Sequence, residues 1–304
     1  MSSTVAFFGL GHMGGPMAAN LVKAGYRVLG FDLVPELVTA AVAAGVEAAP
    51  SAAGAVAEAD AVVTMLPAGR HVLALYREQG VLAAARPGTL FVDCSTIDVA
   101  DARAAHEAVV AAGHRALDAP VSGGVVGAEA GTLTFMAGGG AEEFAAAAPL
   151  LDAMGRKAVH CGDAGAGQAA KICNNMILAV SMIGVSEAFV LAESLGLDHR
   201  ALYEVASTAS GQCWALTVNC PVPGPVPGSP ANREYRPGFA APLMAKDLGL
   251  AANALRAGGV EAPLGLKAAE MYAAFAAGEG AELDFSAIVR TLRPAGTREN
   301  GTPA

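Results

Sequence analysis

The chain has 304 residues, 54% hydrophobic and only 15% charged, and its 19 Lys and Arg against 28 Asp and Glu leave a net charge of −9. That composition excludes intrinsic disorder, and the length predicts two domains with a sizeable core. The acidic balance argues against nucleic acid or an anionic membrane surface as a partner. Cys94, Cys161, Cys173, Cys213 and Cys220 form no CxxC pair, which predicts no disulfide framework and no metal site and fits a reducing compartment. The opening MSSTVAFFGLG carries neither a basic n-region nor an Arg-rich presequence, so the expectation is a cytoplasmic protein. The most apolar helix-length stretch, 172–185, holds Asn174 and Asn175 and falls short of the roughly 20 residues of a membrane span. It is predicted as a core helix, with no membrane partner.

In chain order, strands are predicted at 5–8, 27–31, 61–66, 90–94, 115–117 and 132–137, alternating with Ala-rich helical stretches such as 17–24, 35–44 and 100–112. This alternation predicts an α/β fold, a doubly wound parallel Rossmann sheet over residues 1–163. Beyond about Gly162 the strand signal stops. A long apolar helix over 167–194 joins the first domain to an all-α domain, 164–293. Residues 220–230, CPVPGPVPGSP, are too rich in Pro and Gly for regular structure. Helices resume near Leu243, a last helix spans 283–292 with Asp284 as its N-cap, and 294–304 form a tail. A long apolar helix and a helical second domain offer more apolar face than one monomer easily buries, which predicts a homo-oligomer, dimer or tetramer.

Gly9-Leu10-Gly11-His12-Met13-Gly14 directly follows the first strand and opens a helix. A dinucleotide pyrophosphate needs this order: Gly9 for the tight turn, Gly11 for close backbone approach, Gly14 for helix–strand packing. Asp32, ending the second strand, either accepts the adenosine ribose hydroxyls or caps the helix that begins at Pro35. No Arg or Lys lies between residues 32 and 70 to meet a 2′-phosphate, so NAD is preferred to NADP. Ligands in such sheets bind at strand carboxyl ends, which puts Leu66, Pro67, Ser95, Thr96 and Asp118 on the ligand side. Ordinary turn chemistry accounts for Pro67 and Ser95 equally well.

Ser122, Gly123 and Gly124 present successive backbone N–H groups that suit a carboxylate, or form a plain flexible loop. Lys171, Asn174 and Asn175 share one helix face. A lysine in an apolar helix either snorkels to the surface or serves as a general base, since desolvation lowers its pKa. Lys246 and Asp247, on a later helix, read as a solvated charge pair, and Trp214 as a packing residue. The six histidines show no metal spacing, and no GxSxG motif is present.

Four segments, FFGLGHMGGPMAANL (7–21), DAPVSGGVVGAEAGTLTFMAGG (118–139), GQAAKICNNMIL (167–178) and MAKDLGLA (244–251), resemble the β-hydroxyacid dehydrogenase family. The stretch 220–239 is similar to that of its branch acting on 3-hydroxyisobutyrate in valine degradation. The resemblance implies a Rossmann domain joined by a long helix to a helical domain, with the active site in the cleft between them. It implies NAD-dependent oxidation of a small 3-hydroxy acid, 3-hydroxyisobutyrate, to methylmalonate semialdehyde. Tartronate semialdehyde, succinic semialdehyde or serine-type substrates are the alternatives. Lys171 matches the catalytic lysine, Asn175 and the Ser122–Gly123–Gly124 loop the substrate carboxylate site, and Leu66, Pro67, Thr96 and Lys246 nicotinamide contacts, with no metal. His71 stands where the family commonly carries asparagine.

Overall fold

The computed structural model describes residues 3–293, and the chain divides into two compact units, one ending at Lys171 and the other starting at Ile172. The first unit holds strands β1 (Thr4–Phe8), β2 (Arg27–Phe31), β3 (Glu47–Ala48), β4 (Ala61–Thr64), β5 (Leu90–Asp93), β6 (Arg115–Asp118), β7 (Val121–Ser122), β8 (Leu133–Gly138) and β9 (Gly155–Gly162). They form one sheet in the order β3-β2-β1-β4-β5-β6-β8-β7, with β9 on β8. From β3 to β6 every pairing is parallel. Strand order reverses between β1 and β4, the crevice where doubly wound sheets bind ligands.

The strands read as unbroken apolar runs because both faces are covered. Side chains alternate with period two: Val5 and Phe7 join Val63 and Val92 in one core, while Ala6 and Phe8 join Val62 and Phe91 in the other. Fully burying each such phenylalanine contributes about 1.5–3 kcal/mol.

The expected doubly wound sheet is present, and its far edge adds antiparallel pairings of β8 with β6 and β7 and a parallel pairing with β9. β3, β7 and β9 have no counterpart among the expected strands. The first two are two residues long, and β9, GRKAVHCG, is largely exposed with adjacent charges, so it lacks apolar alternation. The first helix, Gly14–Lys23, starts before the predicted residue 17, since Pro16 is tolerated in a first turn.

In the second unit the helix Ala166–Ser194, which begins in the first, is followed by His199–Ala206, Trp214–Thr217, Ala241–Gly258, Pro263–Ala277 and Val289–Leu292. Met182, Phe189, Tyr235, Met244, Tyr272 and Phe285 anchor its core. The Pro-rich segment is irregular until the 3₁₀ turn Pro230–Arg233. Asp284 is an N-cap as expected, but the segment after it opens as the 3₁₀ turn Phe285–Ile288 before a single α turn. The predicted tail 294–304 lies outside the described residues.

Candidate active site

The glycine turn has the shape its residue types predict. Gly9 has φ +89°, and a Cβ on Gly14 would collide with the Gly9 carbonyl oxygen. A Cβ on Gly11 would meet nothing within 4 Å, so the backbone there faces open space. The turn therefore fits a dinucleotide pyrophosphate laid across Gly11 toward the helix N-terminus. Asp32 is not the cap of the next helix, whose N-cap is Val34 with no side-chain bond. Its carboxylate instead accepts Leu10 N at 2.7 Å and Val34 N at 2.9 Å, tying the turn to the end of β2. Each oxygen keeps a further lone pair for a ribose hydroxyl. The neighbouring Leu33 and Val34 are exposed and apolar.

β4 ends at Thr64, so Leu66 and Pro67 stand in the loop beyond it instead of ending the strand. Leu66 N donates to Ser95 Oγ at 2.8 Å, linking the loops after β4 and β5. Beneath them lies a polar cluster whose Ser95 stands among the expected strand-end residues and whose Thr64 and Asp93 do not. Asp93 Oδ1 accepts Thr64 Oγ1 at 2.7 Å and Ser95 N at 3.1 Å. Burial pushes the Asp93 carboxyl up to about 6, against the pull of the Ser95 and Thr64 hydrogen bonds. On the adjacent strand, burial likewise raises Asp118, which accepts Gly165 N at 2.7 Å and Gln168 N at 3.0 Å. The signal for both was a carboxylate closing an otherwise apolar strand.

Ser122 ends β7. Gly123 (φ +140°) and Gly124 (φ +63°) then turn the chain into the helix Gly124–Ala130, whose first N–H groups have no intrahelical acceptor. Lys171 is 7% exposed, which overturns the snorkelling alternative. One turn further along the same helix, Asn175 is 1% exposed. In the second unit Asn175 Nδ2 donates to Asp247 Oδ2 at 2.6 Å, and Asn174 Nδ2 donates to Asn175 Oδ1 at 3.0 Å. Asp247 is 5% exposed, so it is not half of a solvated charge pair; Lys246 beside it is half-buried. Trp214 is 50% exposed, more than a packing residue needs. Among the described residues, no cluster of three His, Cys, Asp or Glu side chains could hold a metal ion.

Comparison with known proteins adds to this geometry. Residues 4–162 match the family model described as the NAD binding domain of 6-phosphogluconate dehydrogenase. Residues 165–292 match that described as the NAD-binding domain of NADP-dependent 3-hydroxyisobutyrate dehydrogenase. A probable 3-hydroxyisobutyrate dehydrogenase of Mycobacterium tuberculosis is 57% identical over 291 residues, 96% of this chain and 98% of that protein. The chain belongs to the 3-hydroxyisobutyrate dehydrogenase family. It is an oxidoreductase with an NAD-binding domain followed by a helical one. Another member of similar sequence, an NAD-dependent L-serine dehydrogenase of Pseudomonas aeruginosa, is 51% identical over 95% of this chain and 98% of its own. A solved structure of the M. tuberculosis 3-hydroxyisobutyrate dehydrogenase with L-serine superposes with a TM-score of 0.94 at 57% identity, covering 97% of this chain and all of that one.

Proposed function

We propose that the protein oxidises 3-hydroxyisobutyrate to methylmalonate semialdehyde with NAD in the cytoplasm. The observation that carries this reading is a buried lysine one helical turn from a buried asparagine whose carboxamide is oriented by Asp247. Asn175 spends one N–H on Asp247 and keeps the other as a donor suited to the substrate carboxylate; within the first unit, Ser122 and the amides of Gly123 and Gly124 are donors of the same kind. Bound NAD⁺ supplies the hydride acceptor. Lys171 takes the hydroxyl proton as the C–H electron pair leaves C3, so the alcohol becomes an aldehyde and the amine an ammonium. In reduction the ammonium returns that proton to the developing alkoxide.

Asp32 supports NAD over NADP, because a 2′-phosphate there would face a carboxylate with no cation in residues 33–69. The second substrate reading is L-serine, favoured by the L-serine dehydrogenase relative and by L-serine in the M. tuberculosis structure. The two substrates differ at C2 by a methyl group against an ammonium of similar size, so the charge accepted at that position, and not its volume, separates them. The test is steady-state kinetics with 3-hydroxyisobutyrate, L-serine, glycerate and 4-hydroxybutyrate, each with NAD⁺ and NADP⁺. The expected result is highest kcat/KM for 3-hydroxyisobutyrate with NAD⁺. Higher kcat/KM for L-serine, or with NADP⁺, would reverse the respective assignment.

The helix Ala166–Ser194 has the length and hydropathy of a membrane span, with 33% of its most apolar window buried. The family model over 165–292 takes the whole of that helix into the dehydrogenase domain. Its exposed Ile177 and Leu191, with Val205 and Leu264 elsewhere in the second unit, suit a second copy of the chain. Light scattering on the purified protein should give a mass of two or four chains; a monomer at micromolar concentration would refute this.

A further inference from the structure

The first unit contains a carboxamide that the mechanism does not use. Gln168 is fully buried, and its side chain makes two hydrogen bonds to backbone far away in sequence. Nε2 donates to Ser95 O at 2.7 Å and Oε1 accepts Ile97 N at 3.1 Å. These two groups flank Thr96, so the amide bridges the backbone on both sides of that residue and holds its dihedral angles as a β-ladder partner would. Ser95 extends the connection, since its Oγ accepts Leu66 N. The other end of Gln168 is equally fixed: its own N–H donates to Asp118 Oδ2 at 3.0 Å, in the first turns of the helix Ala166–Ser194. Lys171 follows three residues later, on the same helix face.

We propose that Gln168 is a positioning residue, a two-point clamp that sets the loops carrying Leu66 and Thr96 in register with Lys171. This rests on the functional reading above, in which Lys171 moves the substrate proton, and on the expectation that Leu66 and Thr96, beyond the carboxyl ends of β4 and β5, meet the nicotinamide end of the cofactor. The reaction needs the hydride acceptor and the proton acceptor fixed at once on two sides of one alcohol. A misplacement of about 1 Å costs on the order of 10²-fold in rate. One rigid amide shared by the loop and the lysine's helix supplies that constraint without touching either reactant. A mainly structural glutamine would lower stability and leave the nicotinamide end unaffected.

The substitutions are Gln168→Met, which keeps the volume and removes both hydrogen bonds, and Gln168→Glu. A protonated glutamate carries one donor and one acceptor, as glutamine does, whereas the carboxylate turns a lone pair toward the Ser95 carbonyl. Gln168→Glu should therefore recover kcat at acid pH and lose it as the carboxyl ionises, relative to the wild-type profile. The carboxyls of Asp118 and Asp93, both raised by burial, and the imidazole of His106 beside Asp118 move the midpoint of that loss without changing its direction. Gln168→Met should lower kcat on the order of 10²-fold. It should also weaken NADH binding severalfold while ADP-ribose, which lacks the nicotinamide ring, binds within twofold of wild type. Should Gln168→Met fail to fold, Gln168→Glu carries both measurements, read where its carboxyl is ionised and again at acid pH, where the wild-type values should return.

An unchanged ratio of NADH to ADP-ribose affinity, with kcat near wild type and only Tm lowered, would overturn the proposal. So would a Gln168→Glu pH profile parallel to that of wild type. If the wild type binds NADH but oxidises none of the four hydroxy acids, it is the substrate reading that has failed. The NADH to ADP-ribose ratio then decides the role of Gln168 by itself.

Discussion

Lysine is rarely buried, because its ammonium loses hydration that only a partner or a task restores. Lys171 is 7% exposed on a helix that is largely apolar and carries no other basic residue. Replacing it with alanine should lower kcat by about 10²–10⁴ with NADH affinity unchanged, the difference a positioned proton acceptor makes. Single-turnover kinetics and NADH fluorescence titration measure the two quantities, and near-normal kcat would remove Lys171 from the mechanism. Asp247 teaches the converse lesson. Beside Lys246 it reads in sequence as one of two solvated charges, since a KD dipeptide does not reveal which helix face is covered. Packing buries it against Asn175, and the carboxylate becomes the group that aims the asparagine.

Among elements, the loop around 219–239 depends most on one side chain. Asp284 Oδ2 accepts Gly238 N and Phe239 N at 2.9 Å each, and Oδ1 accepts Ser286 N at 3.0 Å, Ser286 Oγ at 2.7 Å and Asn219 Nδ2 at 3.3 Å. The same loop holds Glu234 and Tyr235 at φ 54° and 58°, a left-handed pair of non-glycine residues. Tyr235 is secured there by its hydroxyl, which donates to Pro221 O at 2.8 Å, and by the Arg290 guanidinium 4.7 Å over its ring. Asp284→Ala would leave several buried donors without acceptors. Each such loss costs about 1–3 kcal/mol, so urea unfolding should show a destabilisation of about 3–5 kcal/mol. A loss under about 1 kcal/mol would contradict this account of the loop. Asp284 was legible as a cap, because an aspartate before a helical stretch has few other uses. Its second role was not, because Gly238 and Phe239 lie 45 or more residues away in sequence.

At the scale of the molecule, the buried carboxyls make stability depend on pH. Asp93 has its folded pKa raised from 3.8 to about 6 by burial. The folded state therefore binds more protons than the unfolded one in that window, and its stability falls as pH rises through it. Two pKa units correspond to about 3 kcal/mol. Asp93→Asn, neutral throughout, should remove that fall, so its stability relative to wild type should rise by up to about 3 kcal/mol from pH 4 to pH 7. Asp118, raised in the same direction, continues to contribute in both proteins. Parallel urea midpoints across this range would refute the assignment.

Most of the architecture was readable from local pattern. Unbroken apolar runs, a glycine turn directly after the first of them, and the loss of strand signal near Gly162 depend on residues close together in the chain. Strand order, the antiparallel far edge and the short strands β3, β7 and β9 were not readable, because their partners are distant and their own residues carry no period. The reactive residue types were legible for the same local reason: Lys171 and Asn175 share a face by helical spacing alone. Only the tertiary structure buries Lys171, sets Asp247 on Asn175, and joins Gln168 to the two sides of Thr96. Burial and long-range hydrogen bonding are properties of which surfaces meet, and that is settled by packing.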